Sequence, residues 1–188
     1  MTLHPGFADP VLDSQACFRA VLDAMSRPGR VTGLAFPDPP PPLDPATAAV
    51  LLTLADAEAS VWLDHGALAA QEWVVFHCGA ALAAPGQATF GVALRPVPLA
   101  GLQAGTDDAP ELGATLILQV AALGRGRRLR LSGPGIATTA TLLVDGLAGD
   151  FVAEWAANHA LFPRGIDLIL CAGTQVAALP RSTRVAEG

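Results

Sequence analysis

The hydrophobic pattern is densest at the middle of the chain. Ala114–Leu123 is apolar at eight of ten positions and mixes in the β-branched Thr115, Ile117 and Val120. A short run of this kind predicts a strand buried on both faces. Gly124-Arg125-Gly126 then reads as a turn, and Arg128-Leu129-Arg130-Leu131 alternates, two arginines to one face and two leucines to the other. The pattern predicts a hairpin at the centre of a sheet, with a basic tip and one wet face.

Helical and strand patterns flank this centre. Asp9-Pro10 is a helix start, and Val11, Phe18, Leu22 and Met25 form one apolar stripe behind it. Arg19 and Asp23 stand at i,i+4 on the same helix. Arg27-Pro28-Gly29 stops it, and Val31–Phe36 is a short edge-strand candidate. Residues 37–45 are a proline-rich loop, read as a stiff connector or a partner-docking segment. Asp44-Pro45 opens a second helix, Ala46–Ala55, too apolar to have a wet face. Ser60–Leu63, Trp73–His77 and Ala88–Leu94 read as strands. The stretch from Arg95 to Pro110 reads as loop with about one helical turn. Gly149-Asp150 caps a last helix with Phe151, Trp155, Asn158 and Phe162 on one face. Asp167–Leu170 and Gln175–Leu179 are strands of a hairpin turning at Ala172-Gly173-Thr174. Helices interleaved with apolar strands predict one α/β domain over residues 1–188, a mixed β-sheet flanked by helices.

Composition sharpens this picture. At 52% apolar and 15% charged, the 188-residue chain is oily for a soluble domain. It has apolar surface to cover, which predicts a stable partner or self-association. The uncharged stretch Trp73–Leu94 is broken by Gly79, Pro85 and Gly86, so no membrane span is expected. MTLHPGFADP has neither a basic nor an apolar signal region, and the expected location is the cytoplasm. A net charge of −6 argues against a general nucleic-acid binder. Cys17, Cys78 and Cys171, three at wide spacing, read as buried thiols. All 11 basic residues are arginine. Without a lysine there is no internal pyridoxal-phosphate aldimine and no P-loop, so no such cofactor is expected.

Candidate chemistry is sparse. His77-Cys78 has no second pair at ligand spacing, and no metal site is expected. Ser132 lacks the flanking of a nucleophile elbow, and Cys17 has no evident base. The loop Ser132-Gly133-Pro134-Gly135 reads as an ordinary turn or as an anion cradle. Arg125, Arg127, Arg128, Arg130, Arg181 and Arg184 carry the chemistry suited to forked phosphate contacts, and equally suit a solvated basic face or an interface rim. No catalytic residue emerges.

Several blocks together are similar to a known family. They are Phe18-Arg19, Ala24-Met25-Ser26, Pro28-Gly29, Val50–Asp56, Gln87–Phe90, Gly113–Val120, Phe162–Leu170 and Leu179–Thr183. In this order and spacing they resemble the H subunit (PhnH) family of the bacterial carbon–phosphorus lyase core complex. The resemblance implies phosphonate metabolism and a non-catalytic subunit. Such a subunit supports transfer of methylphosphonate to ribose C1 of ATP with displacement of adenine, yielding ribose 1-methylphosphonate 5-triphosphate. It implies a fold similar to the large domain of pyridoxal-phosphate-dependent transferases, without the lysine. It implies a homodimer, partners among the G, I, J and L subunits, and possible contact with ATP or phosphonate. The ligand or interface candidates in the matched blocks are Arg19, Ser26, Asp56, Asp167, Arg181 and Thr183. Asp56 and Asp167 also fit capping or pairing roles. The alternative is a stand-alone homodimeric phosphate- or nucleotide-binding module that uses its arginines.

Overall fold

The computed structural model describes residues 4–34 and 38–188. Its helices are Pro10–Ser26 (α1), Pro45–Leu54 (α2), Gln71–Cys78 (α3) and Phe151–Ala160 (α4). Its strands are Thr32–Gly33 (β1), Ser60–Leu63 (β2), Ala81–Leu82 (β3), Phe90–Ala93 (β4) and Thr115–Gln119 (β5). They continue with Ala122–Ser132 (β6), Ala140–Asp145 (β7), Asp167–Ala172 (β8), Gln175–Leu179 (β9) and Arg184–Glu187 (β10).

Seven strands form one mixed sheet in the order β1-β9-β8-β5-β4-β2-β3, in which β9 alone runs against the rest. The other three form a small antiparallel sheet, β10-β6-β7. The period-two alternation of the central strands builds two cores. Val61, Val92, Ile117, Ile169 and Val176 face α1, α2 and α3. Leu116, Leu118, Leu168, Leu170 and Leu179 face the small sheet and α4, through Leu129, Leu131, Leu142, Phe151 and Trp155. The chain is thus α/β with a mixed sheet flanked by helices, as its pattern predicts. Cys17, Cys78 and Cys171 are free, buried and all in the helical-side core. Burial raises each thiol pKa, that of Cys78 to about 11.

The central hairpin is not formed. β5 is paired with β4 on one side and β8 on the other, so it has no free edge for a returning strand. The chain instead crosses at Val120 and Ala121 into the small sheet. Gly124 and Gly126, at φ +82° and +93°, form an irregularity inside the single strand β6, where Leu123 and Arg127 both pair with Val144. A side chain at Gly126 would stand 2.6 Å from the Val144 carbonyl oxygen. The expected basic tip is therefore a basic strand face. The alternation beyond it is as read: Leu129 and Leu131 are buried and Arg128 and Arg130 exposed.

Trp73–His77 is helical, not a strand. The parallel pair β2 and β3 needs a crossover, and α3 lies within it. A five-residue apolar run fits either state, and here the topology decides. α1 starts as predicted: Asp9 Oδ1 accepts from the Val11 and Leu12 amides at 3.1 and 3.0 Å. Most of its apolar stripe, however, faces outward, Met25 alone being partly buried against the core. Val11, Phe18 and Leu22 are 73, 50 and 56% exposed, while Cys17, Val21 and Ala24 are buried. Small residues let α1 nest against the Ala-rich α2 and against β9, and the bulky ones are left outside. Asp23 pairs with Arg27 and Arg30, not with Arg19. α4 ends at Ala160, so Phe162 lies beyond it and is exposed. The edge strand expected over 31–36 is described as far as Leu34, with Thr32–Gly33 paired to β9. Residues 35–37, including the first proline of the tract, lie outside the described residues. No described helix is long and apolar enough to cross a membrane.

Candidate functional site

The crevice beyond the carboxyl ends of parallel strands is where open α/β sheets accept ligands. Here two of its polar side chains, Asp64 and Gln119, already serve the fold. Asp64, buried just after β2, accepts from the Ala67 amide at 2.8 Å and the Leu94 amide at 3.1 Å. Gln119, at the end of β5, accepts through Oε1 from the Asp44 amide at 2.7 Å and Thr47 Oγ1 at 2.9 Å. Its Nε2 donates to the Pro42 carbonyl at 3.1 Å. Gln119 thus fastens the end of the proline tract and the start of α2 to the sheet. The signal for it was a polar residue closing an apolar strand, and sequence reading assigned it no role. Asp64 carried no signal beyond its place after a strand.

Of the six sequence-derived candidates, the structure gathers three. Asp167 opens β8, and Arg181 and Thr183 lie between β9 and β10. Arg181 Nε and Nη2 donate to Asp167 Oδ2 at 3.1 and 2.6 Å, and its backbone amide donates to Oδ1 at 2.7 Å. Nη1 and Nη2 also reach the Pro110 and Gly113 carbonyls at 2.7 and 3.3 Å. The two side chains are only 13 and 19% exposed. Gly113 permits this approach: a Cβ there would lie 2.5 Å from Arg181 Nη1 and 2.4 Å from the Gly165 carbonyl oxygen. α4 grips the same region. Asn158 holds Ile166 through both its backbone N–H and C=O, His159 Nδ1 lies 2.9 Å from the Arg181 carbonyl, and Trp155 Nε1 donates to the Thr183 carbonyl at 2.8 Å. Thr183 is fully buried.

Three of the blocks read as family-like, at 113–120, 162–170 and 179–183, therefore meet in one clamp. Its arginine is committed to protein oxygens through every nitrogen of its fork, so the clamp joins strands; of its polar side chains, the buried Thr183 Oγ1 alone has no partner among the described residues. Asp167 takes the pairing role that sequence reading left open. Asp56 likewise closes a turn, accepting from the Glu58 amide at 2.9 Å. Arg19 and Ser26 are apart from the clamp, both exposed on α1. Arg19 makes no described polar contact, and Ser26 Oγ donates to the Asp23 carbonyl at 3.0 Å. Among the described residues no three His, Cys, Asp or Glu side chains gather as a metal site would require.

The remaining arginines divide. Arg127 pairs with Glu187 and donates to the Ala148 carbonyl at 2.7 Å, and Arg164 pairs with Asp107. The hydrogen bond from Arg127 pulls the Glu187 carboxyl below its ordinary pKa. Arg130 and Arg184 have no protein partner among the described residues and line a hollow on the outer face of the small sheet.

Comparison with known proteins settles the family. Residues 5–186 match the bacterial phosphonate metabolism protein (PhnH) family. The chain belongs to the PhnH family. It is 38% identical over 186 residues to the alpha-D-ribose 1-methylphosphonate 5-triphosphate synthase subunit PhnH of Rhizobium meliloti (strain 1021), covering 95% of this chain and 93% of that protein. It is 35% identical over 179 residues to the putative C-P lyase subunit protein HtxG of Stutzerimonas stutzeri, covering 91 and 85%. The resemblance read from the scattered blocks is thereby borne out over nearly the whole PhnH-type chain.

Proposed function

We propose that this chain is a non-catalytic subunit of a ribose 1-methylphosphonate 5-triphosphate synthase in the carbon–phosphorus lyase system. In this role it supports transfer of methylphosphonate to ribose C1 of ATP with loss of adenine. Its family and the names of its relatives support the pathway. The role rests on one observation: Val11, Phe18 and Leu22 of α1 point outward while Asp167 and Arg181 of the clamp are engaged with each other within the fold. A row of Val11, Phe18 and Leu22 on one helix face is surface suited to another protein.

The partners on this reading are the G, I, J and L subunits, with a homodimer as the state of the isolated chain and the cytoplasm as its location. A seven-stranded sheet with one reversed strand supports likeness to the large domain of pyridoxal-phosphate-dependent transferases. With no lysine in the sequence, an internal aldimine has no anchor.

The test is co-expression of a tagged chain with the other subunits. The wild type should co-purify with them and the assembly should release adenine from ATP with methylphosphonate. Phe18→Asp should lose at least about tenfold of the co-purified material with an unchanged melting temperature, since Phe18 is half exposed. Adenine release by the isolated chain would overturn the non-catalytic role, and full retention by Phe18→Asp would overturn the α1 surface. The second reading, a stand-alone phosphate- or nucleotide-binding module, draws on the partnerless arginines of the small sheet.

A further inference from the structure

The small sheet has one buried and one open face. On β6, Leu129 and Leu131 point into the core, so Arg128, Arg130 and Ser132 point out. Strand β10 pairs antiparallel, setting Arg184 opposite Ser132 and Ala186 opposite Arg130. Directly opposed residues share a sheet face, so Arg130 and Arg184 are diagonal neighbours on the outside, a separation that long side chains bridge. The small Ala186 beside Arg130 leaves a hollow of about 360 Å³, lined by Arg130, Ser132, Thr139, Arg184, Val185 and Ala186.

Two guanidinium groups and two hydroxyls thus border one depression, with no carboxylate in its lining. Neither hydroxyl has a protein partner among the described residues. The carboxylates elsewhere do pair with arginines: Asp23 with Arg27 and Arg30, Asp107 with Arg164, Asp167 with Arg181, Glu187 with Arg127. Neighbouring like charges on a sheet repel, and an anion between them removes that repulsion. Guanidinium forks and hydroxyls match the several oxygens of a tetrahedral oxyanion. A net charge of −6 disfavours nucleic acid as the ligand, and a concave site favours a small ligand over a flat acidic protein surface.

We propose that Arg130, Arg184, Ser132 and Thr139 form a binding site for a small phosphate-bearing anion, with a chain of phosphoryl groups as the ligand class. This site stands on the small sheet's own geometry and does not depend on the subunit role.

The experiment is calorimetry on the full chain with sodium tripolyphosphate and, separately, with ATP at equal ionic strength. Tripolyphosphate should bind saturably, one per chain. The double variant Arg130→Gln/Arg184→Gln should weaken it by about tenfold or more, the scale of about 1.4 kcal/mol. Arg95→Gln, which changes the net charge beside Gly146, at the end of β7 away from Thr139, should leave binding within about twofold. Melting temperatures check that each variant is folded. Equal binding of ATP identifies the phosphates as what is read, and binding of tripolyphosphate alone restricts the ligand to a base-free chain; both support the site. Absence of saturable heat with the wild type, or equal losses in Arg95→Gln and the double variant, would overturn it. Either failure leaves co-purification with the other subunits intact, so the two proposals fall separately.

Discussion

Arg181 and Arg184 stand three residues apart in one short segment and have opposite fates. Arg181 lies before β10, turned inward, with its fork closed on Asp167 and two carbonyls. Arg184 opens β10, turned outward, with no protein partner among the described residues. Both read in the sequence as phosphate-type arginines. What separates them is place: the turn between β9 and β10 sets Arg181 against a buried acceptor set, and the register of β10 sets Arg184 at a hollow. An arginine's chemistry is thus set by the acceptors left over around it as much as by its own donors.

The comparison breaks most directly at the clamp. Arg181→Ala removes the guanidinium donors to Asp167 Oδ2 and to the Pro110 and Gly113 carbonyls and should destabilise the chain by about 3 kcal/mol. For a chain this long, a thermal melt should fall by about 6–12 °C. Gly113→Ala should destabilise by about 2 kcal/mol or more, because backbone at 2.4 Å cannot give way as a side chain can. Denaturant titration of that variant checks whether the clamp depends on close approach. Arg184→Gln and Arg130→Gln should each change stability by less than about 0.5 kcal/mol, as expected of surface positions. A loss like that of Arg181→Ala in either would erase the contrast. The smallest effect belongs to Glu187→Gln. The folded-state carboxyl pKa is lowered, so this pair's contribution is present above the ordinary carboxylate range and is lost as pH falls through it. Wild type and variant should differ slightly at neutral pH and converge in acid, measured as unfolding midpoints against pH.

Much of the fold was legible because period and caps acted locally. Asp9-Pro10 and Asp44-Pro45 both open helices, though the Asp44 carboxylate accepts from the Gly173 amide and caps nothing, and the hairpin at 172–174 joins β8 to β9 as read. The failures share a cause. The 114–131 region was read as a hairpin because a run, a glycine pair and an alternation follow each other. That β5 had no free edge is a fact about β4 and β8, far away in sequence. The α1 stripe obeyed helical spacing, yet spacing does not say which face is inside when small residues make the closer contact. In the candidate site, Asp167 and Arg181 were picked for unexplained polarity, and their mutual pairing explains it. Arg130 and Arg184 were read only as members of a basic group, because the strand β10 that makes them neighbours has no pattern of its own in RVAE.

The three thiols all lie between the helices and the large sheet, whereas Trp155 lies on the opposite side of that sheet. The molecule therefore carries two reporters of its own breathing, which overlap at Trp73 in the thiols' own core. Alkylation kinetics follow exposure of the helical half, and indole fluorescence includes a signal from the half that bears the small sheet. Divergence between them under mild denaturant would reveal the two layers opening at different times, without a single engineered label.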